Sequence, residues 1–192
     1  MIYNDICVFC ASTEKVKPEF LEAAECLGRA IAKAGKRIIY GGGKVGLMGH
    51  LADKALEANG IVRGIIPKFL MGLELGHPDI AELIEVADMH AREAMMMKEA
   101  DAIIVLPGGI GTFSELLQAI TWNRLNQISA PIIIININNY FDPILKMLDS
   151  AIEENFLRAE FRPIWQSVNS VDEALGLIEA EISEPCPQSQ SN

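Results

Sequence analysis

Two glycine-rich segments carry the clearest chemistry in this sequence. The first, GGGKVGLMG, runs from Gly41 to Gly49, and the second, PGGIGT, runs from Pro107 to Thr112. Each follows a short apolar run and leads into a helical pattern, so each predicts a turn between a strand and a helix. Glycine lets the backbone approach a ligand closely, and the start of a helix offers N–H groups to an anion. Phosphate is the expected ligand, although glycine also serves tight turns that bind nothing.

The first segment does not fit the two best-known phosphate motifs. Three of its glycines match the dinucleotide pattern G-x-G-x-x-G, but the next apolar run ends in Pro67-Lys68. A dinucleotide site needs an acid there for the ribose hydroxyls. A P-loop would need Lys and then Ser or Thr after Gly46, where the sequence has Leu47 and Met48.

An alternation of short strands and longer helices is predicted to position these turns. The predicted strands are Ile6–Phe9, Arg37–Tyr40, Ile61–Ile66, Ala102–Leu106 and Ile132–Ile137, and the predicted helices are Pro18–Ala34, Leu47–Ala58, Phe113–Leu125 and Pro143–Asn155. The runs IIVL and IIIII are continuously apolar, as in strands buried on both faces. We therefore predict an α/β fold with a doubly wound, mostly parallel sheet and helices on both faces.

The remaining segments fit one domain over residues 1–182 with a flexible tail over residues 183–192. The segment LIEV, within 79–89, can be interpreted as a strand that leads into the helical stretch His90–Ala100. A short WQSV strand is predicted before a last helix at Val171–Glu181. The loop Pro67–Pro78 is long enough to cover a site. Ligands of parallel sheets bind outside the carboxyl ends of the strands, where both glycine segments fall.

The composition limits the classes of partner. The chain has 192 residues, 50% of them hydrophobic, which is enough for one core and too few for two ordinary domains. Its net charge of −10 disfavours a broad surface for nucleic acid or an anionic membrane. The N-terminus lacks the basic start of a signal peptide, and no apolar run reaches the roughly 18 residues of a membrane helix. We expect a cytoplasmic protein that binds neither nucleic acid nor membrane.

The cysteines do not form a recognisable redox or zinc motif. Cys7 and Cys10 form C-x-x-C, but within an apolar strand their side chains should point to opposite faces. Cys26 lies on a helical pattern, Cys186 lies in the tail, and no His stands at zinc-ligand spacing from any of them. We interpret these residues as buried thiols.

Five segments, VFCAS, YGGG, ADMHARE, PGGIGTFSELLQAITW and NYFDPIL, resemble the LOG family of cytokinin riboside 5′-monophosphate phosphoribohydrolases. The resemblance spans about residues 7–157. It implies a Rossmann-like fold, a homodimer, and hydrolysis of the N-glycosidic bond of a nucleoside 5′-monophosphate. AMP or a cytokinin riboside 5′-monophosphate would give the free base and ribose 5-phosphate, without a metal, and we expect no cofactor.

The resemblance also assigns roles to individual residues. The family's catalytic arginine falls on Arg92 and its catalytic glutamate on Glu115. Positions around the substrate and its phosphate fall on Gly43, Met89, Gly108, Gly109, Gly111 and Thr112. One departure is Glu93, which stands where the family has a lysine after the arginine. It removes a positive charge beside the expected pocket.

Local patterns offer simpler explanations for both catalytic candidates. Thr112 and Glu115 have the T-x-x-E spacing of a capping box, in which Glu115 would only close the start of its helix. Arg92 could be an exposed helix residue paired with Glu99 or Glu93. The resemblance favours the catalytic interpretation in both cases.

Other residues near these motifs are expected to have structural roles. His90 reads as a helix cap or a surface residue. Met95–Met97 span most of a helical turn, so at least one should be buried in the core or at a dimer contact. Trp122 is expected at an interface or a pocket wall.

The sequence is compatible with two functions, a phosphoribohydrolase and a non-catalytic carrier that binds a nucleotide or cofactor at the same turns. A carrier needs the glycines but neither Arg92 nor Glu115. A lysine decarboxylase, the former label of the resembled family, would need a pyridoxal-binding lysine, and the sequence has no recognisable signature for one.

Overall fold

The computed structural model describes residues 4–72 and 76–183. Within them the strands are β1 (Asp5–Phe9), β2 (Arg37–Tyr40), β3 (Ile61–Pro67), β4 (Glu82–Val86), β5 (Ala102–Val105), β6 (Ile132–Ile135) and β7 (Trp165–Val168). The α-helices of the same residues are α1 (Pro18–Lys33), α2 (Gly46–Glu57), α3 (Met89–Glu99), α4 (Ile110–Arg124), α5 (Asp142–Glu153) and α6 (Val171–Ser183). The predicted elements are present with ends shifted by a few residues, and LIEV lies in a strand.

The described strands form one sheet in the order β4-β3-β2-β1-β5-β6-β7, with every pairing between neighbours parallel. β1 is central, since Ile6 pairs with Ile38 of β2 on one side and with Ala102 of β5 on the other. β2, β3 and β4 follow one another toward one side of the sheet, and β6 and β7 follow β5 toward the other side. The strand order therefore reverses between β1 and β5.

Alternate residues of β1 contact different helical layers. Ile6 and Val8 belong to the core beneath α1, α2 and α6, whereas Cys7 and Phe9 belong to the core beneath α3, α4 and α5. Helices thus cover both faces, which explains why β5 and β6 are apolar at every position. The predicted doubly wound Rossmann-like fold is confirmed.

The cysteine prediction is confirmed for the strand and wrong for the helix. Cys7 and Cys10 are buried in different cores, as alternation along a strand requires. Cys26 is exposed, because the buried stripe of α1 runs through residues 24, 27, 28 and 31 and leaves Cys26 on the outer side. Cys186 and residues 184–192 of the predicted tail lie outside the described residues, and α6 extends through Ser183.

The predicted loop 67–78 returns to the first glycine segment. Pro67 ends β3, and a short 3₁₀ turn follows at Lys68–Leu70. Gly76 forms an isolated antiparallel bridge with Gly43, and the His77 N–H donates to the Gly42 carbonyl at 2.9 Å. Residues 73–75 lie outside the described residues.

None of the described helices is both long and apolar enough to span a bilayer.

Candidate active site

The segments that follow β1, β2, β5 and β6 meet at one edge of the sheet. The Met48 N–H, just after the first glycine turn, donates to the carbonyl of Ala11 beyond β1, and Tyr140 beyond β6 reaches Gly108 beyond β5. The strand order reverses at this edge, where open α/β sheets bind their ligands. We call the region formed by residues 10–13, 41–48, 107–115 and 136–140, with Met89 and Arg92, the carboxyl-edge site.

Neighbouring atoms leave no room for a side chain at Gly41 or Gly46 in the first turn. A Cβ on Gly41 would lie 2.8 Å from Cζ of Arg92, and one on Gly46 would lie 2.6 Å from the Thr13 carbonyl oxygen. Gly46 also has φ +66, which favours glycine. The turn is therefore packed between the segment after β1 and the side chain of Arg92.

The second turn itself becomes the first turn of α4. The helix begins at Ile110 with Gly109 as its N-cap, and the Phe113 N–H donates to the Gly109 carbonyl at 3.0 Å. The N–H groups of residues 110–112 come before that bond and have no acceptor within the helix. Gly109 and Gly111 are exposed, with open space where a Cβ would be. The backbone here is accessible to an anion.

This helix start rules out the capping-box explanation of Glu115. Thr112 is the third residue of α4, not its N-cap, so Glu115 is not at the position that closes a capping box. Thr112 is instead buried against Gly108, whose Cβ would lie 2.6 Å from that of Thr112. The T-x-x-E pattern is incidental to the helix start.

Arg92 lies in the first turn of α3 and is buried, with 4% of its surface exposed. Asp88 caps this helix by accepting a hydrogen bond from the Ala91 N–H at 2.8 Å. Nη2 of Arg92 donates to the Gly41 carbonyl at 2.8 Å, and the sulfur atoms of Met89 and Met48 lie 3.8 and 3.9 Å from its terminal nitrogens.

The alternative of an exposed Arg92 paired with Glu99 is therefore wrong. Glu99 instead forms an ion pair with Arg63 at 2.5 Å. His90, in the same turn as Arg92, is exposed, as predicted for a surface residue, and the capping role belongs to Asp88.

Glu115 approaches the central strand from α4 and is also buried, with 8% of its surface exposed. The charges of its carboxylate and of the Arg92 guanidinium both shift the pKa of Cys7 in β1. Burial raises the pKa of the Cys7 thiol, the negative charge of Glu115 raises it further, and the positive charge of Arg92 opposes the rise. The fold thus brings a carboxylate from α4 and a guanidinium from α3 to the same part of β1.

Comparisons with known proteins identify the family of this chain. A family model described as "possible lysine decarboxylase" matches residues 48–178. The probable cytokinin riboside 5′-monophosphate phosphoribohydrolase LOGL1 of Oryza sativa subsp. japonica is 40% identical over 177 residues, covering 92% of this chain and 79% of the relative. Cytokinin riboside 5′-monophosphate phosphoribohydrolase LOG4 of Arabidopsis thaliana is 38% identical over 187 residues, covering 97% and 86%. The chain belongs to the LOG family.

A solved structure shares the fold of this protein over almost the full length of both chains. The molybdenum cofactor binding protein of the phototrophic bacterium Rippkaea orientalis superposes with a TM-score of 0.71 at 27% identity, covering 95% of this chain and 99% of that one. The LOG fold therefore also occurs in a protein named for cofactor binding.

The departure from the family pattern at Glu93 lies inside the protein. Glu93 is buried, directly after Arg92 in α3. An acidic residue thus occupies, shielded from solvent, the position where the resemblance implies a lysine. Water screens its charge less than it would at the surface.

The methionine run after Glu93 mainly fills the core. Met96 and Met97 are buried beneath α3, which confirms that part of the run is buried, and Met95 packs against the same core. Trp122 on α4 is partly buried against this core too.

Tyr140 is a residue of the carboxyl-edge site that sequence reasoning missed. It follows β6 in the sequence INNYF, and its hydroxyl donates to the Gly108 carbonyl at 2.5 Å. The available signal was an aromatic residue with a polar end in the turn after a strand, at the same edge of the sheet as both glycine segments.

Proposed function

We propose that this protein hydrolyses the N-glycosidic bond of a nucleoside 5′-monophosphate, AMP or a cytokinin riboside 5′-monophosphate, to the free base and ribose 5-phosphate. The observation that carries the proposal is the pair of buried side chains, Arg92 and Glu115, beside two glycine turns at the strand-order reversal. A carrier would need the turns alone. Membership in a family whose relatives bear this enzyme name supports the same conclusion.

The second glycine turn is the proposed binding site of the 5′-phosphate. Gly108, Gly109, Gly111 and Thr112 bring backbone N–H groups and the positive end of α4 to one place. Gly43, in the first turn, is the proposed contact from the other glycine segment. These local donors would allow a chain of net charge −10 to bind an anion.

Glu115 is the proposed catalytic carboxylate. In the reaction water adds to C1′ of the ribose, the bond from C1′ to the base nitrogen breaks with its electron pair going to the base, and a proton from water ends on the base. Positive charge develops on the ribose in the transition state. Glu115 stabilises that charge or helps to activate the water, and both roles require its negative charge.

Arg92 is the proposed clamp for substrate oxygen atoms. Its guanidinium is held by the Gly41 carbonyl and flanked by the sulfur of Met89, so little rotamer freedom is left to lose on binding. The planar group presents several donors in a fixed geometry. Met89 is therefore the proposed neighbour of Arg92 in the substrate site.

Pyridoxal phosphate, which the decarboxylase description of the family implies, does not fit this site. It requires a lysine that forms a Schiff base with the cofactor. Among the described residues the buried lysine is Lys36, which precedes β2 and so lies at the amino edge of the sheet, away from the glycine turns. Lys44, in the first turn, is exposed.

We also propose a homodimer that associates through the outer face of α4. Ile110 and Leu117 in α4 and Leu125, its C-cap, are exposed apolar residues spaced so that they share one side of this helix. Exposed apolar surface of this kind is characteristic of interaction sites. Met96 and Met97 are buried in the core, so we do not assign them to this contact.

The proposed compartment is the cytoplasm. The structure contains a buried thiol at Cys7 and an exposed thiol at Cys26, neither in a disulfide. Thiols persist in the reducing conditions of the cytosol.

The proposed activity is tested by incubating the protein with AMP and with an N6-substituted AMP and separating the products by chromatography. Release of free base together with ribose 5-phosphate is the expected result. Tight nucleotide binding with no base released at high protein concentration would contradict hydrolysis and support a carrier. The variants Arg92→Ala and Glu115→Gln control for a contaminating hydrolase, since base release should fall with each.

A further inference from the structure

The segment after β6 makes a direct hydrogen bond to the second glycine turn. The Tyr140 hydroxyl donates to the carbonyl of Gly108 at 2.5 Å. Gly108 is the residue before Gly109, the N-cap of α4. The bond therefore connects the segment after β6 to the backbone at the start of the proposed phosphate site.

Tyr140 is itself held in place by its own segment and by Phe20 of α1. The Asn136 side chain accepts from the Phe141 N–H and donates to the Asp142 carboxylate, each at 2.7 Å. The Tyr140 ring packs edge-on against Phe141, with centroids 5.2 Å apart, and against Phe20 at 5.7 Å. These contacts fix the hydroxyl before any ligand arrives.

The bond to Gly108 also fixes the N–H group of the next residue. In a trans peptide the carbonyl oxygen and the N–H point in opposite directions, so holding the Gly108 oxygen orients the Gly109 N–H. Gly109 is exposed, with open space around its Cα. Without an external contact this peptide could rotate more easily than one carrying side chains.

We propose that Tyr140 is a positioning residue that orients the Gly108–Gly109 peptide toward the 5′-phosphate of the substrate. This rests on the proposed function. Pre-orienting the peptide removes part of the ordering cost of binding. The benefit is the same in the ground state and the transition state, because the phosphate takes no part in bond cleavage.

The test is Tyr140→Phe, which keeps the ring contacts and removes only the hydroxyl. We expect KM for AMP to rise about tenfold with kcat within about twofold, as when a charge-assisted hydrogen bond used for uniform binding is weakened. Binding of ribose 5-phosphate, measured by calorimetry, should weaken by the same factor. Binding of adenosine, which lacks the phosphate, should not change.

A matched control is Phe20→Leu, which removes an edge contact to the Tyr140 ring and leaves the hydroxyl. It should lower Tm and keep the wild-type KM. The proposal is overturned if Tyr140→Phe binds ribose 5-phosphate as the wild type does, or if Phe20→Leu raises KM equally, which would indicate a packing role.

The two proposals can fail separately. If the wild type binds AMP but releases no base, the hydrolase proposal fails, while ribose 5-phosphate binding by Tyr140→Phe still decides the positioning role. If the wild type binds neither AMP nor ribose 5-phosphate, both proposals are overturned.

Discussion

The guanidinium of Arg92 occupies the space that a side chain at Gly41 would need. A Cβ on Gly41 would lie 2.8 Å from Cζ of Arg92, and the Gly41 carbonyl accepts a hydrogen bond from its Nη2 at 2.8 Å. The missing side chain and the backbone carbonyl together set the position of the arginine. Gly41 thus both forms part of the turn and positions Arg92.

Gly41→Ala should therefore displace Arg92 without removing it. We expect kcat/KM for AMP to fall about 10²-fold, as when a catalytic group is misplaced by about 1 Å. The measurement is steady-state hydrolysis together with thermal unfolding. The matched control is Gly176→Ala in α6, where a Cβ would meet nothing within 4 Å, and which should leave activity unchanged. Equal kcat/KM for Gly41→Ala and the wild type would contradict the role assigned to Arg92.

Glu93→Lys places a positive charge beside Arg92, where the resemblance to the LOG family implies a lysine. We expect a lower KM for AMP, since an added positive charge near Arg92 attracts the phosphate. The free energy of unfolding should fall by about 1–3 kcal/mol, because the position is buried. Glu93→Gln, which removes the negative charge without adding a positive one, should give an intermediate KM. A folded Glu93→Lys variant with unchanged KM at low and moderate salt would show that residue 93 does not act on the substrate.

The fold could be predicted from the sequence because it depends on local patterns. Continuous apolar runs such as IIII at 132–135 occur where a parallel sheet is covered on both faces, and they mark the strands directly. The position of the site followed from the same reasoning, since both glycine segments come after strands. The prediction for Cys26 was wrong because it did not use the apolar stripe of α1, which leaves that residue on the outer side.

The internal geometry of the site depends on contacts between distant residues. Arg92 is buried by its bond to Gly41, 51 residues earlier in the chain, and Tyr140 reaches Gly108 across 32 residues. No spacing pattern encodes such pairs. The T-x-x-E pattern was misleading because the glycine turn itself begins the helix, which moves the N-cap from Thr112 to Gly109.

The proposed dimer predicts that a charge on the outer face of α4 will produce a monomer. Leu117→Lys should dissociate the dimer in sedimentation experiments, because a charge at the centre of an interface must be desolvated. Leu117 is exposed in the single chain, so the substitution should not impair folding. Met147→Lys, on the exposed side of α5, is the control and should leave the dimer intact. A dimer that persists in Leu117→Lys would place the contact elsewhere.

Tyr40 should make the protein less stable in alkali. It is buried at the end of β2, and none of the described residues forms a hydrogen bond with its hydroxyl. Burial raises the pKa of Tyr40 above its ordinary value of 10.0, and the negative charges of Cys10 and Asp53 in their ionised forms add to the rise. The unfolded chain therefore releases this proton first as pH increases. The associated stability is complete below pH 10.0 and is lost above it.

Tyr40→Phe removes this titration and so tests its contribution. We expect the fall in the free energy of unfolding between about pH 9 and about pH 11 to be smaller than in the wild type, as measured by urea unfolding. At pH 7 the variant should lie within about 1 kcal/mol of the wild type, since a hydroxyl that makes no hydrogen bond contributes little. An equal fall in both proteins would exclude Tyr40 as a source of alkaline instability.

Glu115→Gln separates the charge of the carboxylate from its shape. If the negative charge stabilises the ribose cation or helps to activate water, the amide should lower kcat about 10²-fold or more, roughly 3 kcal/mol of transition-state stabilisation. Nucleotide binding should be largely retained, because the proposed phosphate donors are backbone groups of residues 108–112. Tm should change little, since Gln has nearly the same size and α4 does not depend on Glu115 for its cap. Single-turnover hydrolysis and calorimetric binding of AMP measure the two effects separately. A Gln variant within about threefold of the wild-type turnover, far short of the loss expected for such a charge, would remove Glu115 from the mechanism.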